Sequence, residues 1–170
     1  MTADILFCMM GGTIDSFYDG RIDTVRPHAH SIIPGFIQSL NLHSTARFVQ
    51  VAMKDSRELT DDDRARLLQT IEAADERKII VTHGTNTMPI TAKYLRQNLK
   101  KRFARIVFTG SLIPISGMTN SDAPFNLGFA MAAANILPPD VYVCMNGRIF
   151  NAEEVMEIKG EGIFRSVHDK

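Results

Sequence analysis

The chain predicts an α/β domain built on a mainly parallel sheet with helices on both faces. Five short apolar runs rich in Ile, Val and Phe, at 4–9, 47–53, 78–82, 105–109 and 141–145, are too short for typical helices and suit strands buried on both sides. Segments with helical spacing, at 31–40, 61–74, 89–99 and 123–136, alternate with them as βαβ units require. A length of 170 residues with 45% hydrophobic and 22% charged residues fits one globular domain, and no repeat, low-complexity tract or linker divides 1–170.

Each element has its own local reason. The first strand runs into Gly11-Gly12, and the segment 16–21 after that turn reads as a mobile loop, a lid candidate. The helix at 61–74 carries an apolar stripe of Leu67, Leu68 and Ile71, with Thr60 as its N-cap and Asp63 three residues on. That spacing predicts a capping box, and Asp61 and Asp62 suit the positive end of the helix dipole better than a metal. Pro124 falls in the first turn of the last helix, where proline is tolerated, and the alanines at 130 and 132–134 allow close packing on a sheet. Cys8 and Cys144 lie inside apolar strands and read as small buried hydrophobes rather than a disulfide.

Nineteen basic residues balance nineteen acidic ones, so no overall field draws the chain to nucleic acid or an anionic membrane. No apolar run approaches the ~20 residues of a membrane helix. The N-terminus has no basic n-region before the first strand, and the expected compartment is cytoplasmic. His28 and His30 lack a third ligand at suitable spacing, so no metal is expected there.

In an open parallel sheet, ligands bind beyond the carboxyl ends of the strands. Those ends carry Gly11-Gly12-Thr13-Ile14-Asp15, Lys54-Asp55-Ser56-Arg57-Glu58, His83-Gly84-Thr85-Asn86-Thr87, Gly110-Ser111-Leu112-Ile113-Pro114 and Asn146-Gly147-Arg148. Gly12 and Gly84 let backbone N–H groups approach a ligand, for a phosphate or a developing oxyanion. Neither a Gly-x-Gly-x-x-Gly nor a Walker lysine pattern is present, which leaves a phosphate-binding reading weak. Thr13 and Thr85 point instead to acyl transfer. His83 reads as fixing its loop by hydrogen bonding, and Asp122 with Asn126 as bracing a turn.

Gly11-Gly12-Thr13-Ile14 and Thr82-His83-Gly84-Thr85-Asn86-Thr87-Met88 resemble the two signature motifs of the bacterial-type L-asparaginase family. The stretches 55–60, 109–114, 121–127 and 146–150 follow in that family's order, so the resemblance covers nearly the whole chain. It implies the family's flavodoxin-like N-terminal domain without the second, smaller domain. It also implies hydrolysis of the side-chain amide of L-asparagine or a related small amide through a threonine acyl-enzyme, with no cofactor and a dimeric or tetrameric assembly.

By that resemblance Thr13 is the nucleophile, Thr85 belongs to a second triad-like set, and Ser56, in the loop with Asp55, holds the substrate carboxylate. Gly12, Gly84 and Ser111 line the pocket, and Tyr18 stands loosely for a loop tyrosine. The sequence departs at Asn86, where the family has an aspartate for the substrate amine, and at Glu157, where it has a lysine; Lys159 is two residues away. The paired exchange suggests a single carboxylate moved across the pocket, or Glu157 as the base for Thr85. It also keeps open a second reading, a pocket that binds a small molecule without turnover.

Overall fold

A computed structural model describes residues 3–100, 103–117 and 120–169. The chain runs through β1 (Ile5–Gly11), β2 (Ser16–Asp19), β3 (Thr24–Pro27), α1 (Ile33–Ser39), β4 (Ala46–Lys54), α2 (Asp61–Ala73), β5 (Lys78–Thr82), α3 (Met88–Asn98), β6 (Arg105–Thr109), α4 (Ala123–Ile136), β7 (Asp140–Met145), β8 (Arg148–Asn151), β9 (Val155–Ile158) and β10 (Ile163–Ser166). The main sheet has the order β4-β1-β5-β6-β7-β8, parallel except for the antiparallel edge strand β8. The chain therefore reverses its winding direction at β1, and the crevice beside β1 and β5 is the switch point where such sheets bind ligands.

Strand side chains alternate between two cores, as the two-residue period demands. Leu6, Cys8 and Met10 with Ile79, Val81, Ile106, Phe108, Val141 and Val143 face α2 and α3, which contribute Leu67, Ile71, Met88, Ala92 and Leu95. Ile5, Phe7 and Met9 with Ile80, Val107, Tyr142 and Cys144 face α1 and α4, which contribute Ile33, Ile37, Leu127 and the alanines 123, 130, 133 and 134. Each fully buried Ile, Leu or Phe side chain is worth ~1.5–3 kcal/mol relative to exposure. Both cysteines are buried free thiols, pushed up to about 12 by desolvation, which makes them inert at neutral pH.

The capping box expected at Thr60 and Asp63 is formed, with both reciprocal bonds present. Asp63 is also held by Lys54 at 2.8 Å. Burial alone would raise its carboxyl, but the Lys54 ammonium and the Thr60 N–H and hydroxyl outweigh that and set it at about 2.

Three expectations need correction. The run at 47–53 is not buried on both sides: it forms β4, the edge strand of the sheet, where Ala52 alone is buried. The segment read as a mobile loop is a β2–β3 hairpin, anchored by Asp19, which pairs with Arg21 and Arg26, and by the Phe17 ring against His28. The Asn146-Gly147 cluster is the two-residue turn between β7 and β8, with φ of 53° and 72°. Positive φ at both central residues is what a type I′ hairpin needs, so this cluster is turn chemistry. A second small hairpin, β9–β10, sets Val155 and Phe164 into the core beneath α2 and α3. Among the described residues no helix is long and apolar enough to cross a membrane.

Candidate active site

Three strand ends meet backbone to backbone. Gly12, at φ 84° and ψ −176°, donates its N–H to the Lys54 carbonyl at 2.9 Å. A Cβ added to Gly12 would lie 2.3 Å from the Gly84 Cα and N, and one on Gly84 would lie 2.7 Å from the Ser56 Cβ and Oγ. Only glycine at both positions permits this approach. The turns carrying Thr13, Ser56 and Thr85 are thus brought to one junction beyond β1, β4 and β5. Thr87 ties two of them by donating its hydroxyl to the Ser56 carbonyl at 2.7 Å. The fourth end closes in behind, because a Cβ on Gly110 would lie 2.3 Å from the His83 carbonyl oxygen.

The hydroxyls at the junction are largely uncommitted. Thr13 is half-buried and Thr85 is 8% exposed. Ser56 is 2% exposed, and its Oγ is buried with no hydrogen-bond partner among the described residues. A buried hydroxyl without a partner costs free energy unless a ligand supplies one. Asn86 is exposed on the same turn as Thr85.

Other side chains singled out from the sequence are committed elsewhere. Asp55 accepts from the Arg57 N–H at 2.9 Å and is clamped by its guanidinium at 2.7 Å, which holds the carboxyl below its usual range. It caps its own turn rather than facing the junction uncommitted. Ser111 donates its hydroxyl to the Ile113 carbonyl at 2.6 Å, which closes a turn. Tyr18 is 49% exposed and donates to Asp23 at 2.6 Å inside the β2–β3 hairpin. Asp122 accepts from the Leu112 and Ile113 N–H groups and from Asn126, whose amide also reaches the Gly110 carbonyl at 2.9 Å. That bracing is the role expected of the pair.

The family profile described as "Asparaginase, N-terminal" matches residues 4–168. The chain belongs to the asparaginase family. An L-asparaginase of Thermococcus kodakarensis is 35% identical over 100 residues, 57% of this chain and 30% of that protein. A "Probable L-asparaginase 1" of Schizosaccharomyces pombe is 30% identical over 154 residues, 84% of this chain and 42% of that one. The solved T. kodakarensis enzyme superposes with a TM-score of 0.81 at 25% identity, over 95% of this chain and 50% of its own. A structure titled "Probable Cytoplasmic L-asparaginase from Campylobacter jejuni" gives 0.81 at 26% identity, covering 97% and 53%. The chain thus spans about half the length of these solved asparaginases, and less than half of the two curated relatives.

In this asparaginase domain Glu157 sits on β9, opposite Phe164 of β10. It is half-buried, and one of its carboxylate oxygens is buried without a hydrogen-bond partner among the described residues. The β9 strand lies against α3, the helix that follows the Thr85 turn. Two polar residues near the junction escaped the sequence reading: Thr91 and Arg64, both buried. Their signal was a polar side chain on an apolar helix stripe, Thr91 beside Met88, Ala92 and Leu95, and Arg64 one turn before Leu67 and Leu68.

His83 is fully buried, and desolvation pushes its ring down to about 4, aided by Arg64 and opposed by the Gly84 carbonyl. The ring is neutral in the folded asparaginase domain and titrates near 6.5 when unfolded. The unfolded chain therefore gains a proton first on acidification. Stability from this group is complete above pH 6.5 and falls toward pH 4, with a loss of about 2 kcal/mol by pH 5. Urea midpoints recorded from pH 7.5 to 4.5 should fall accordingly; a midpoint independent of pH in that window would contradict a neutral buried ring.

Proposed function

We propose that the chain is an asparaginase-type amidohydrolase acting on the side-chain amide of L-asparagine or a related small amide. The observation that carries this reading is the Gly12–Gly84 contact, which gathers the Thr13 and Thr85 turns at one junction beside the unpartnered Ser56 hydroxyl. A threonine hydroxyl needs a neighbouring base to attack. In the proposed reaction Thr13 Oγ adds to the amide carbon, the C–N bond breaks, and ammonia leaves with the hydroxyl proton. Water then cleaves the acyl ester, releasing the acid and restoring the hydroxyl. Ser56 takes the substrate carboxylate, and backbone N–H groups at the glycine-rich turns receive the oxyanion. Glu157 serves as the base for Thr85 or as the anion facing the substrate amine. No cofactor enters this scheme. A homo-oligomer in the cytoplasm completes the reading.

One observation favours a second reading, a binding module without turnover. Asn86 carries no charge for a substrate amine, and Glu157 brings no cation. Ammonia release from L-Asn, D-Asn, L-Gln and simple amides separates the two. The hydrolase reading expects turnover by the unmodified chain and a loss of about 10²-fold in Glu157→Gln, the scale of a positioned acid–base group. Turnover seen only in the double variant Asn86→Asp/Glu157→Lys would establish the binding module instead.

A further inference from the structure

The His83 ring has a different partner on each nitrogen. Nδ1 lies 2.7 Å from the Gly84 carbonyl oxygen and Nε2 2.9 Å from Thr91 Oγ1. A carbonyl only accepts, so Nδ1 carries the proton. In the neutral ring Nε2 is then an acceptor, and the Thr91 hydroxyl must donate to it. Thr91 Oγ1 in turn accepts from Arg64 Nε at 3.3 Å, and Arg64 is balanced by Asp61 at 2.8 Å on the surface.

Every proton in this chain has one direction, from a guanidinium on α2, through a hydroxyl on α3 and a ring on the β5 loop, to the Gly84 carbonyl. Hydrogen bonds in series polarise one another, most strongly in a low-dielectric interior. The Gly84 carbonyl and the Thr85 N–H belong to one trans peptide unit. A pull on the carbonyl therefore strengthens the Thr85 N–H as a donor and fixes the plane that joins Gly84, in contact with Gly12, to Thr85.

We propose that Arg64, Thr91 and His83 are positioning residues that form a directional hydrogen-bond relay, orienting and polarising the Gly84–Thr85 peptide at the junction. Its kinetic consequence rests on the hydrolase reading; the protonation pattern and its effect on the Thr85 amide do not.

The test contrasts two substitutions in the full chain. Thr91→Val keeps the shape and removes the hydroxyl, while Thr91→Ser keeps the hydroxyl and removes a methyl group. A relay tolerates Ser and not Val; a packing role has the reverse preference. Long-range ¹H–¹⁵N spectra of the wild type at pH 7 are expected to show His83 protonated at Nδ1 alone, and the Thr85 amide proton to move upfield in Thr91→Val but not in Thr91→Ser. In the ammonia assay kcat should fall about tenfold in Thr91→Val with KM within about twofold, and recover in Thr91→Ser.

An Nε2-protonated or doubly protonated His83 overturns the relay, as does a Val variant that matches wild type in the Thr85 amide. A chain that hydrolyses no amide but shows the expected spectra refutes the proposed function and leaves the relay standing. If Thr91→Val does not fold, Arg64→Gln replaces it: a smaller upfield shift of the Thr85 amide is expected, and an unmoved amide overturns the polarisation.

Discussion

Gly12→Ala is expected to destabilise the fold by about 2–6 kcal/mol and to lower amide hydrolysis by about 10²-fold. Gly12 has φ 84° and ψ −176°, a backbone region open essentially to glycine alone; forcing a side chain there costs about 1–3 kcal/mol. The new Cβ would also stand 2.3 Å from the Gly84 Cα and N, which are backbone atoms and cannot turn aside like a side chain. Overpacking of that kind adds about 1–3 kcal/mol. Relief requires the β1 turn to part from the β5 turn, and a displacement of about 1 Å is enough to cost on the order of 10²-fold in rate. Gly128→Ala in α4 is the control, because a Cβ there meets nothing within 4 Å. It should raise stability by about 0.5–1 kcal/mol through helix propensity. Urea denaturation of both variants makes the comparison; a Gly12→Ala loss under about 1 kcal/mol would show that the junction yields easily.

The parts legible in the sequence are those whose physics is local. The strands β1, β5, β6 and β7 are buried on both faces, so each is written as a continuous apolar run, and the Thr60–Asp63 box announces α2. The hairpins β2–β3 and β9–β10 lack that signature because two short strands bury little on their own. What steadies them lies beyond the strands themselves: Ser31 and the Ile32 N–H hold the buried Asp15 carboxylate and so tie together the two ends that flank the first hairpin, and Phe164 of the second is set in the core.

The site divides the same way. Glycines and hydroxyls at strand ends can be listed from the sequence, because strand ends follow from the runs. Which hydroxyls stay uncommitted cannot, because Ser111 closing on Ile113 and Ser56 closing on nothing look alike as sequence. The His83–Thr91–Arg64 chain is further out of reach, since it joins a loop to two helices.

Thr13→Ala carries the largest kinetic expectation: ammonia release drops by more than about 10³-fold, because removing a nucleophile leaves only binding and backbone donors to act. The same substitution should leave stability within about 0.5 kcal/mol, the range of a partly exposed side chain away from special features. No hydrogen bond from the chain engages the Thr13 hydroxyl among the described residues, so nothing structural is lost with it. This pairing of a large rate effect with a small stability effect separates a reacting hydroxyl from one that braces a turn, as Ser16 does by donating to the Gly12 carbonyl at 2.8 Å. Ser16→Ala should reverse the pattern, lowering stability by about 1 kcal/mol through a lost buried hydrogen bond. Thr85→Val tests the partner hydroxyl and should cost about 10²–10⁴-fold, the scale of an acid–base group rather than of the attacking atom. Mass spectrometry of rapidly quenched reactions should find the acyl group on the peptide containing Thr13. If it lies on the Thr85 peptide, or if Thr13→Ala keeps more than a tenth of the rate, the two threonines exchange roles and the nucleophile belongs to the β5 turn.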